Sequence, residues 1–192
     1  RFSSELKKIN TKFKFIFLSK TQLDILNPKS INGALKKHKP DSLLHLAGLS
    51  RPMSEHEKNI SKSIKLNIIG TSNLVIECAN LNIKLLYFST SYVYPGVKGN
   101  YKETDPLLPW NNYAWSKLGG EAAVQMYSNS LILRVCMTEK PFIHKNAYAN
   151  VTSNFIYQTD LAKIFLKVLN KKGIINLGGK SQTIYKFVKK NN

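Results

Sequence analysis

Short apolar runs alternate with segments of helical periodicity along the chain. The apolar runs have the length and composition of strands and lie at 12–18, 42–48, 83–90, 131–136 and 173–179. The segments with helical spacing lie at 2–10, 30–39, 55–80, 112–128 and 159–171, with a short one at the C-terminus. This alternation predicts an α/β fold with a parallel sheet covered by helices.

Two segments add detail to this picture. The run 83–90 is almost continuously apolar, as expected for a strand buried on both faces of a parallel sheet. The stretch from Tyr94 to Asn111 contains glycine and proline and is long for a loop in a compact domain. We therefore expect this loop to have a functional role.

The composition bounds the class of protein. A chain of 192 residues with 43% hydrophobic composition can form one α/β domain with a sizeable core. Lysine and arginine number 29 against 11 acidic residues, a net charge of +18. The excess is mostly lysine, spread in pairs near the ends of predicted helices, where cations are favoured. We therefore expect a solvated basic surface and no nucleic-acid partner.

Cysteines, histidines and hydropathy exclude other classes. Cys78 and Cys136 lie in apolar runs without ligand spacing, as buried free thiols of a reducing cytoplasm would. The histidines are scattered without ligand spacing, so no metal site is expected; they are His38, His45, His56 and His144. No apolar run approaches the roughly 18 to 20 residues that span a bilayer. We expect a soluble, cytoplasmic protein without a membrane partner.

The strongest chemical signal is the sequence Tyr113-Ala-Trp-Ser-Lys117 at the start of a predicted helix. Residues four apart share a helix face, so the Lys117 ammonium can lie beside the Tyr113 phenol. A nearby cation favours the phenolate and predicts a lowered pKa for Tyr113. Such a tyrosine can exchange a proton with a carbonyl or carbinol oxygen.

Hydroxyl side chains follow the predicted strand 83–90. Ser89, Thr90 and Ser91 stand at its carboxyl end, where open α/β sheets bind their ligands. A hydroxyl there can hold the substrate oxygen that Tyr113 protonates.

These motifs resemble the extended short-chain dehydrogenases/reductases, and within them the dTDP-4-dehydrorhamnose reductases. The similar segments are, in order, Leu23-Asp24-Ile25, the P-D-x-x-x-H-x-A-G of Pro40 to Gly48, the N-x-x-G-T of Asn67 to Thr71, the F-S-T-S-Y-V-Y of Phe88 to Tyr94, the P-x-x-x-N-Y-x-x-S-K-x-x-x-E of Pro109 to Glu121, and Leu133-Arg134. The resemblance covers roughly residues 20 to 180 and implies a Rossmann-like, doubly wound parallel sheet.

The resemblance also implies roles for the reacting groups. Tyr113 would be the general acid, and Lys117 would lower its pKa and bind the ribose of the nicotinamide. Thr90 would polarise the carbonyl of the substrate. Ser91 would take that role if the alignment were shifted by one residue, and is otherwise assigned to substrate binding. The substrate would be a 4-keto-6-deoxysugar nucleotide, as in dTDP-rhamnose biosynthesis, reduced by hydride from NAD(P)H.

The resemblance implies NADP or NAD as the cofactor. Asp24 and Ile25 would face the adenine, and Ala47 and Gly48 the pyrophosphate and nicotinamide. Arg51 would reach a substrate phosphate. A homodimer is a possible assembly for such a chain.

Some features depart from the family pattern. The opening strand and glycine-rich loop are missing, since the first glycine is Gly33, so we expect a truncated domain and weak NAD(P)H binding. The usual aspartate after the threonine is Ser91, and the usual proline after Leu133-Arg134 is Val135. We expect one domain over residues 1–192, with a reduced substrate-binding part from about residue 137.

Two alternative functions stay open at this point. One is a nucleotide-sugar epimerase or dehydratase that returns the hydride to the sugar. The other is a non-catalytic binding or regulatory subunit, because the regulatory subunit of methionine adenosyltransferase resembles the same reductases.

Overall fold

A computed structural model of the chain describes residues 2–191. The chain divides into two compact units. The first, the site unit, comprises Leu18–Arg134 and Lys171–Asn176. The second unit comprises the described residues before Leu18, Val135–Asn170 and those from Leu177 onward. The expectation of one domain with a reduced part from about residue 137 stays a prediction.

Helices and strands alternate along the chain. The helices are α1 (Phe2–Lys8), α2 (Pro28–His38), α3 (Ser54–Lys58), α4 (Ile60–Ile64), α5 (Gly70–Asn80), α6 (Asn112–Gln125), α7 (Gln158–Val168) and α8 (Ile184–Asn191). The strands are β1 (Ser42–His45), β2 (Lys84–Thr90), β3 (Ser130–Val135), β4 (Met137–Thr138), β5 (Thr152–Ser153), β6 (Ile156–Tyr157), β7 (Gly173–Leu177) and β8 (Gln182–Thr183). Among residues 2–191, no helix combines the length and apolar character needed to cross a bilayer.

A four-stranded parallel sheet in the order β1-β2-β3-β7 organises the structure. β1 and β2 run in register from Ser42 opposite Lys84 to His45 opposite Tyr87. Buried side chains of the site unit form a core between this sheet and its helices: Ile25, Ile31, Leu35, Leu74, Cys78, Ile83, Leu85, Tyr87, Val124 and Ile132. The predicted α/β fold with a parallel sheet is confirmed.

The predicted helix over 55–80 is interrupted near its start. Asn59 leaves the helical region at φ −138° and ψ 71°, and its side chain caps α4 by accepting from the Lys62 amide at 3.0 Å. From Ile60 the helix continues to Asn80 through a π turn at Lys65–Ile69. The prediction of an unbroken helix was wrong at Asn59, because an asparagine that can cap a helix competes with its continuation.

The predicted strand over 12–18 is a second correction. Residues in this segment belong to no helix and no strand of the described structure. Its apolar composition suits a strand, but a strand also needs a hydrogen-bonding neighbour along its edge. The described sheet supplies none to this segment, because its edge strand β1 pairs only with β2.

The second unit has its own small sheets and aromatic contacts. β4 pairs in parallel with β6, and β5 pairs antiparallel with β8. Phe2 of α1 packs edge-on against the fully buried Phe165 of α7, with ring centroids 5.8 Å apart. Phe187 of α8 is buried beside Tyr157, at 4.9 Å.

Two glycines in helices meet opposite surroundings. Gly120 of α6 faces the π turn so closely that a Cβ there would overlap the carbonyl oxygen of Asn67 and lie 2.8 Å from Oη of Tyr87. Gly33 of α2 faces open space, with nothing within 4 Å of an added Cβ. The absence of a side chain at Gly120 therefore sets how near α6 lies to the helix that carries Asn67.

The two glycines give a matched pair of substitutions. We expect Gly120→Ala to lower the free energy of unfolding by about 1–3 kcal/mol, because backbone atoms must move to admit the methyl group. Gly33→Ala should raise it by about 0.4–1 kcal/mol, since alanine favours the helix and fits without contact. Urea unfolding of both variants measures the difference. A Gly120→Ala chain as stable as Gly33→Ala would contradict the close approach.

Candidate active site

Thr90 is the last residue of β2 and begins the site. Its backbone is extended, and its Oγ1 accepts from the Tyr92 amide at 3.2 Å, which caps the short 3-10 turn Ser91–Val93. The Thr90 side chain also lies close enough to the Tyr113 phenol to oppose the rise in its pKa. The structure thus brings together the two groups that the sequence assigns to the substrate carbonyl.

Tyr113 lies in the first turn of α6. Asn111 caps that helix by accepting from the Ala114 amide at 2.7 Å. Burial raises the pKa of Tyr113, while the nearby Thr90 side chain and the charge of Arg51 oppose the rise. The sequence predicts a lowered pKa, and that prediction was wrong for this arrangement because desolvation outweighs the nearby charge.

Lys117 lies one helical turn beyond Tyr113 and points at another ring. Its Nζ lies 4.1 Å from the ring centroid of Tyr87, and the Tyr87 hydroxyl donates to the Lys117 carbonyl at 3.0 Å. Burial lowers the pKa of Lys117 to about 7, and the carboxylate of Glu121 opposes this. An ammonium held over an aromatic face near neutral pKa is typical of a functional site.

Aromatic side chains surround the Tyr113 phenol. Tyr92 meets Tyr113 edge-on, with ring centroids 6.3 Å apart, and Tyr92 also packs against Trp110 at 5.6 Å. The buried ring of His56 contacts Tyr113 at 5.2 Å, and its Nδ1 pairs with Ser63 at 2.7 Å. Trp110 stays 65% exposed, so it offers a flat apolar face to solvent beside the site.

Asn67 connects the end of β1 to α6. Its amide nitrogen donates to the Leu49 carbonyl and to Ser116 Oγ, both at 2.8 Å. Its Oδ1 accepts from the Leu49 amide at 2.7 Å. Ser116 in turn donates to the Tyr113 carbonyl at 2.7 Å. One buried amide therefore joins the loop after β1 to the turn that carries Tyr113.

Ala47 and Gly48 belong to that loop and are exposed. Gly48 has φ +139°, a conformation that favours glycine, and a Cβ there would lie 2.7 Å from Oδ1 of Asn67. Bare backbone is thus open to a ligand at the carboxyl end of β1. Their contacts to a cofactor stay a prediction.

Asp24 and Ile25 lie before α2. Asp24 Oδ1 accepts from the Leu26 amide at 3.0 Å, and the Asp24 amide donates to Ser30 Oγ at 3.0 Å. The Ile25 side chain is buried against Gly70, where a Cβ would lie 2.7 Å from its Cδ1. The Asp24 contacts are local and those of Ile25 reach α5, and the predicted adenine contacts of both residues stay predictions.

Ser91 and Arg51 complete the predicted residues. Ser91 is half-buried in the turn after Thr90, and its carbonyl accepts from the Tyr94 amide at 3.2 Å. Arg51 is half-buried and lies near enough for its charge to lower the pKa of Tyr113. Ser91 is thus next to Thr90 in the chain, and Arg51 is near Tyr113. Their contacts to a substrate stay predictions.

The structure adds residues to which the sequence reasoning assigned no role. Asn67, Glu121 and Arg134 each stand inside a motif that carries the family resemblance, so a signal for them was present. Ser116 fills the serine position beside Lys117 in the same way. His56 lies between two glutamates without any motif, and only the fold reveals its contact with Tyr113.

The site can be compared with the needs of a metal and of a nicotinamide cofactor. Between Phe2 and Asn191, no group of three or more histidine, cysteine or acidic side chains could hold a metal ion. The exposed backbone at Gly48 leaves room for a phosphate, and the phenol of Tyr113 is a group that can donate a proton to a carbonyl oxygen.

Several known proteins are similar to this chain in structure or in sequence. The chain superimposes on a dTDP-4-dehydrorhamnose reductase from Bacillus anthracis, solved in complex with NADP, with a TM-score of 0.85 and 22% identity, covering 98% of this chain and 74% of that one. It is 30% identical to a dTDP-4-dehydrorhamnose reductase from Aggregatibacter actinomycetemcomitans over 131 residues, which is 67% of this chain and 44% of that protein.

A relative with a different name has nearly the same identity to this chain. The chain is 31% identical over 115 residues to the methionine adenosyltransferase 2 subunit beta of Xenopus tropicalis, which is 59% of this chain and 34% of that subunit. The chain thus spans less than half the length of these two relatives. The model of the RmlD substrate binding domain matches residues 3–153, the larger part of the sequence. The chain belongs to the RmlD substrate binding domain family, whose members include dTDP-4-dehydrorhamnose reductases.

Proposed function

We propose that this chain is the site-bearing part of a nucleotide-sugar reductase that uses NAD(P)H to reduce a 4-keto-6-deoxysugar nucleotide. The observation that carries the proposal is the position of the Thr90 side chain at the carboxyl end of β2, close enough to the Tyr113 phenol to oppose the rise in the pKa of that phenol. Two hydroxyls that converge at this end of a parallel sheet can hold one carbonyl oxygen between them.

Tyr113 is the proton donor in this mechanism. Because burial raises its pKa, the phenol stays protonated at neutral pH, the state that a general acid for reduction needs. As the carbonyl carbon accepts hydride, the developing alkoxide takes the proton of Tyr113, and Thr90 donates a second hydrogen bond to that oxygen. The nicotinamide, when bound, supplies the hydride.

Lys117 and Arg51 stabilise the charge that remains. Proton transfer leaves a phenolate on Tyr113, and a cation within reach lowers the free energy of that state. Arg51 already acts on the Tyr113 phenol in this structure, and Lys117 lies one turn along the same helix. A ligand that displaces the Lys117 ammonium from the Tyr87 ring would bring it toward the phenolate and the ribose.

The remaining predicted residues would bind the two ligands. Asp24 and Ile25 would meet the adenine, and the exposed Ala47 and Gly48 would meet the pyrophosphate and nicotinamide. Ser91 and Arg51 would contact the sugar nucleotide, and the exposed face of Trp110 would pack against it. The similar Bacillus anthracis structure, a complex with NADP, supports this type of cofactor.

A non-catalytic subunit is the second candidate. The similarity to methionine adenosyltransferase 2 subunit beta favours it, because a subunit can keep the fold without turnover. The proximity of Thr90 to Tyr113, with Lys117 one turn along α6, favours the reductase, since a partner protein would not require these groups together.

The assignment of Tyr113 can be tested by kinetics. In a form of the protein that carries a first strand and glycine-rich turn, Tyr113→Phe should lower the turnover of a 4-keto-6-deoxysugar nucleotide by at least about a hundredfold. NAD(P)H oxidation is the measurement. Tyr185→Phe, an exposed tyrosine of α8, is the matched control and should keep full turnover. Equal rates for the two variants would reject the mechanism.

The burial of Lys117 predicts a cost in stability that depends on pH. Its pKa is about 7 in the folded chain and ordinarily 10.5, so between these values the unfolded chain binds more protons and stability rises with pH. Lys117→Met should therefore be more stable than the parent near neutral pH, by a margin that narrows toward about pH 10.

Chemical unfolding across this pH range measures that margin. Lys65→Met, at an exposed position of the π turn, is the control and should leave the shape of the stability curve unchanged. A Lys117→Met chain that is less stable than the parent at every pH would show that Lys117 is retained for packing rather than for function.

A further inference from the structure

Glu121 is a fully buried carboxylate in α6, one turn beyond Lys117. Its Oε1 accepts from Arg134 at two atoms, Nη2 at 2.6 Å and Nε at 3.0 Å. Its Oε2 accepts from Ser89 Oγ at 2.5 Å, and the Gln125 amide reaches Oε1 at 3.3 Å. Every oxygen of this buried acid is therefore bound.

These bonds tie the catalytic helix to the end of β2. Ser89 immediately precedes Thr90, so the bond from Ser89 to Glu121 fixes the residue next to the proposed carbonyl-binding hydroxyl. Glu121 lies on the same helix as Tyr113 and Lys117. Where the carboxylate lies thus determines where Thr90 stands relative to Tyr113.

Arg134 extends the network to the long loop after β2. Its Nη1 donates to Oη of Tyr94 at 2.6 Å and to the carbonyl of Glu103 at 3.0 Å. Asn176 holds the same loop. Its backbone N–H donates to Oε1 of Glu103 at 2.8 Å, and its side-chain Nδ2 donates to the Tyr101 carbonyl at 2.9 Å. The arginine that neutralises Glu121 therefore also fixes the loop that carries Trp110.

Stability alone does not account for this arrangement. Desolvation of a buried ion pair offsets much of its attraction, and an apolar pair of similar volume often holds a fold as well. A carboxylate with two bonds from arginine and one from serine instead imposes a single geometry on three elements.

We propose that Glu121 is a positioning residue, which holds Ser89 and Thr90 at the end of β2 in register with Tyr113 on α6, with Arg134 as its counter-charge. The proposal rests on the proposed function, because positioning matters for the carbonyl that Thr90 and Tyr113 share. Glu121 touches neither substrate nor cofactor and acts through Ser89.

Substitution of Ser89 tests this without breaking the ion pair. Ser89→Ala removes only the hydroxyl that joins Glu121 to the end of β2. Its kcat should fall about tenfold or more while the KM for NAD(P)H is unchanged, since small misplacements of reacting groups are costly. Ser89→Thr keeps a hydroxyl and should restore most of the rate. Glu121→Gln should lower kcat in the same way where it folds.

Ser130→Ala is the matched control. Ser130 is also buried, and its hydroxyl donates to the Val124 carbonyl at 3.2 Å at the opposite end of the sheet. It should lose as much thermal stability as Ser89→Ala and keep full kcat. Equal kcat for the two alanine variants would overturn the proposal.

A spectroscopic arm separates this proposal from the proposed function. The ¹³Cζ chemical shift of Tyr113 at neutral pH reports the surroundings of its phenol, including the nearby Thr90 side chain, and it needs no turnover. Ser89→Ala should shift this resonance and Ser130→Ala should not. If the unsubstituted protein reduces no keto-sugar and the resonance still moves only in Ser89→Ala, the proposed function fails while the positioning holds. An unmoved resonance contradicts the positioning.

Discussion

The close packing of α6 against the π turn at Lys65–Ile69 determines where Tyr113 lies. The helix can come this near because Gly120 has no side chain to meet the carbonyl oxygen of Asn67. At that distance the Asn67 side chain reaches Ser116 and, on its other side, both backbone groups of Leu49. The end of β1, the π turn and the start of α6 thus form one hydrogen-bonded assembly.

A second buried polar group fixes the same helix from another direction. Glu121 binds Arg134 of β3 and Ser89 of β2, so polar contacts hold α6 to the strands as well as to the π turn. Between these anchors lie Tyr113 and Lys117, whose environments penalise charge. Burial raises the pKa of Tyr113 and lowers that of Lys117 to about 7, so both groups are moved toward their neutral forms in the absence of ligand. A rigid frame around poorly solvated groups is the arrangement expected of a site prepared for charge that develops during reaction.

The sequence predicted the parts of the structure that depend on local pattern. The strand 83–90 and the helix 112–128 appear as β2 and α6 within a few residues, and Thr90 at the end of the strand lies near the tyrosine of the helix. The segment 12–18 has the composition of a strand but belongs to none, because pairing depends on a neighbour that composition does not show.

The position of the Lys117 ammonium and the pKa of Tyr113 could not be predicted from the sequence for a related reason. A lysine four residues after a tyrosine indicates a cation beside a phenol, but the Lys117 ammonium packs over Tyr87, thirty positions earlier in the chain. The degree of burial, which sets the direction of the Tyr113 pKa, also depends on distant elements. Glu121 and Asn67 also have partners outside the helical segments that contain them. Only the family motifs that contain them indicated a role in the site.

Transfer of deuterium from NAD(P)H that carries two deuterium atoms at C4 of the nicotinamide tests the central claim, that Thr90 and Tyr113 serve the net reduction of a keto-sugar. The measurement is the deuterium content of the released sugar nucleotide by mass spectrometry, with the protein in a form that carries a glycine-rich turn. The reductase account predicts one deuterium per product molecule and one NAD(P)H oxidised for each. A product that forms without net oxidation of NAD(P)H would indicate an epimerase or dehydratase cycle. No product, with the protein folded and the cofactor bound, would contradict the account in favour of a non-catalytic subunit.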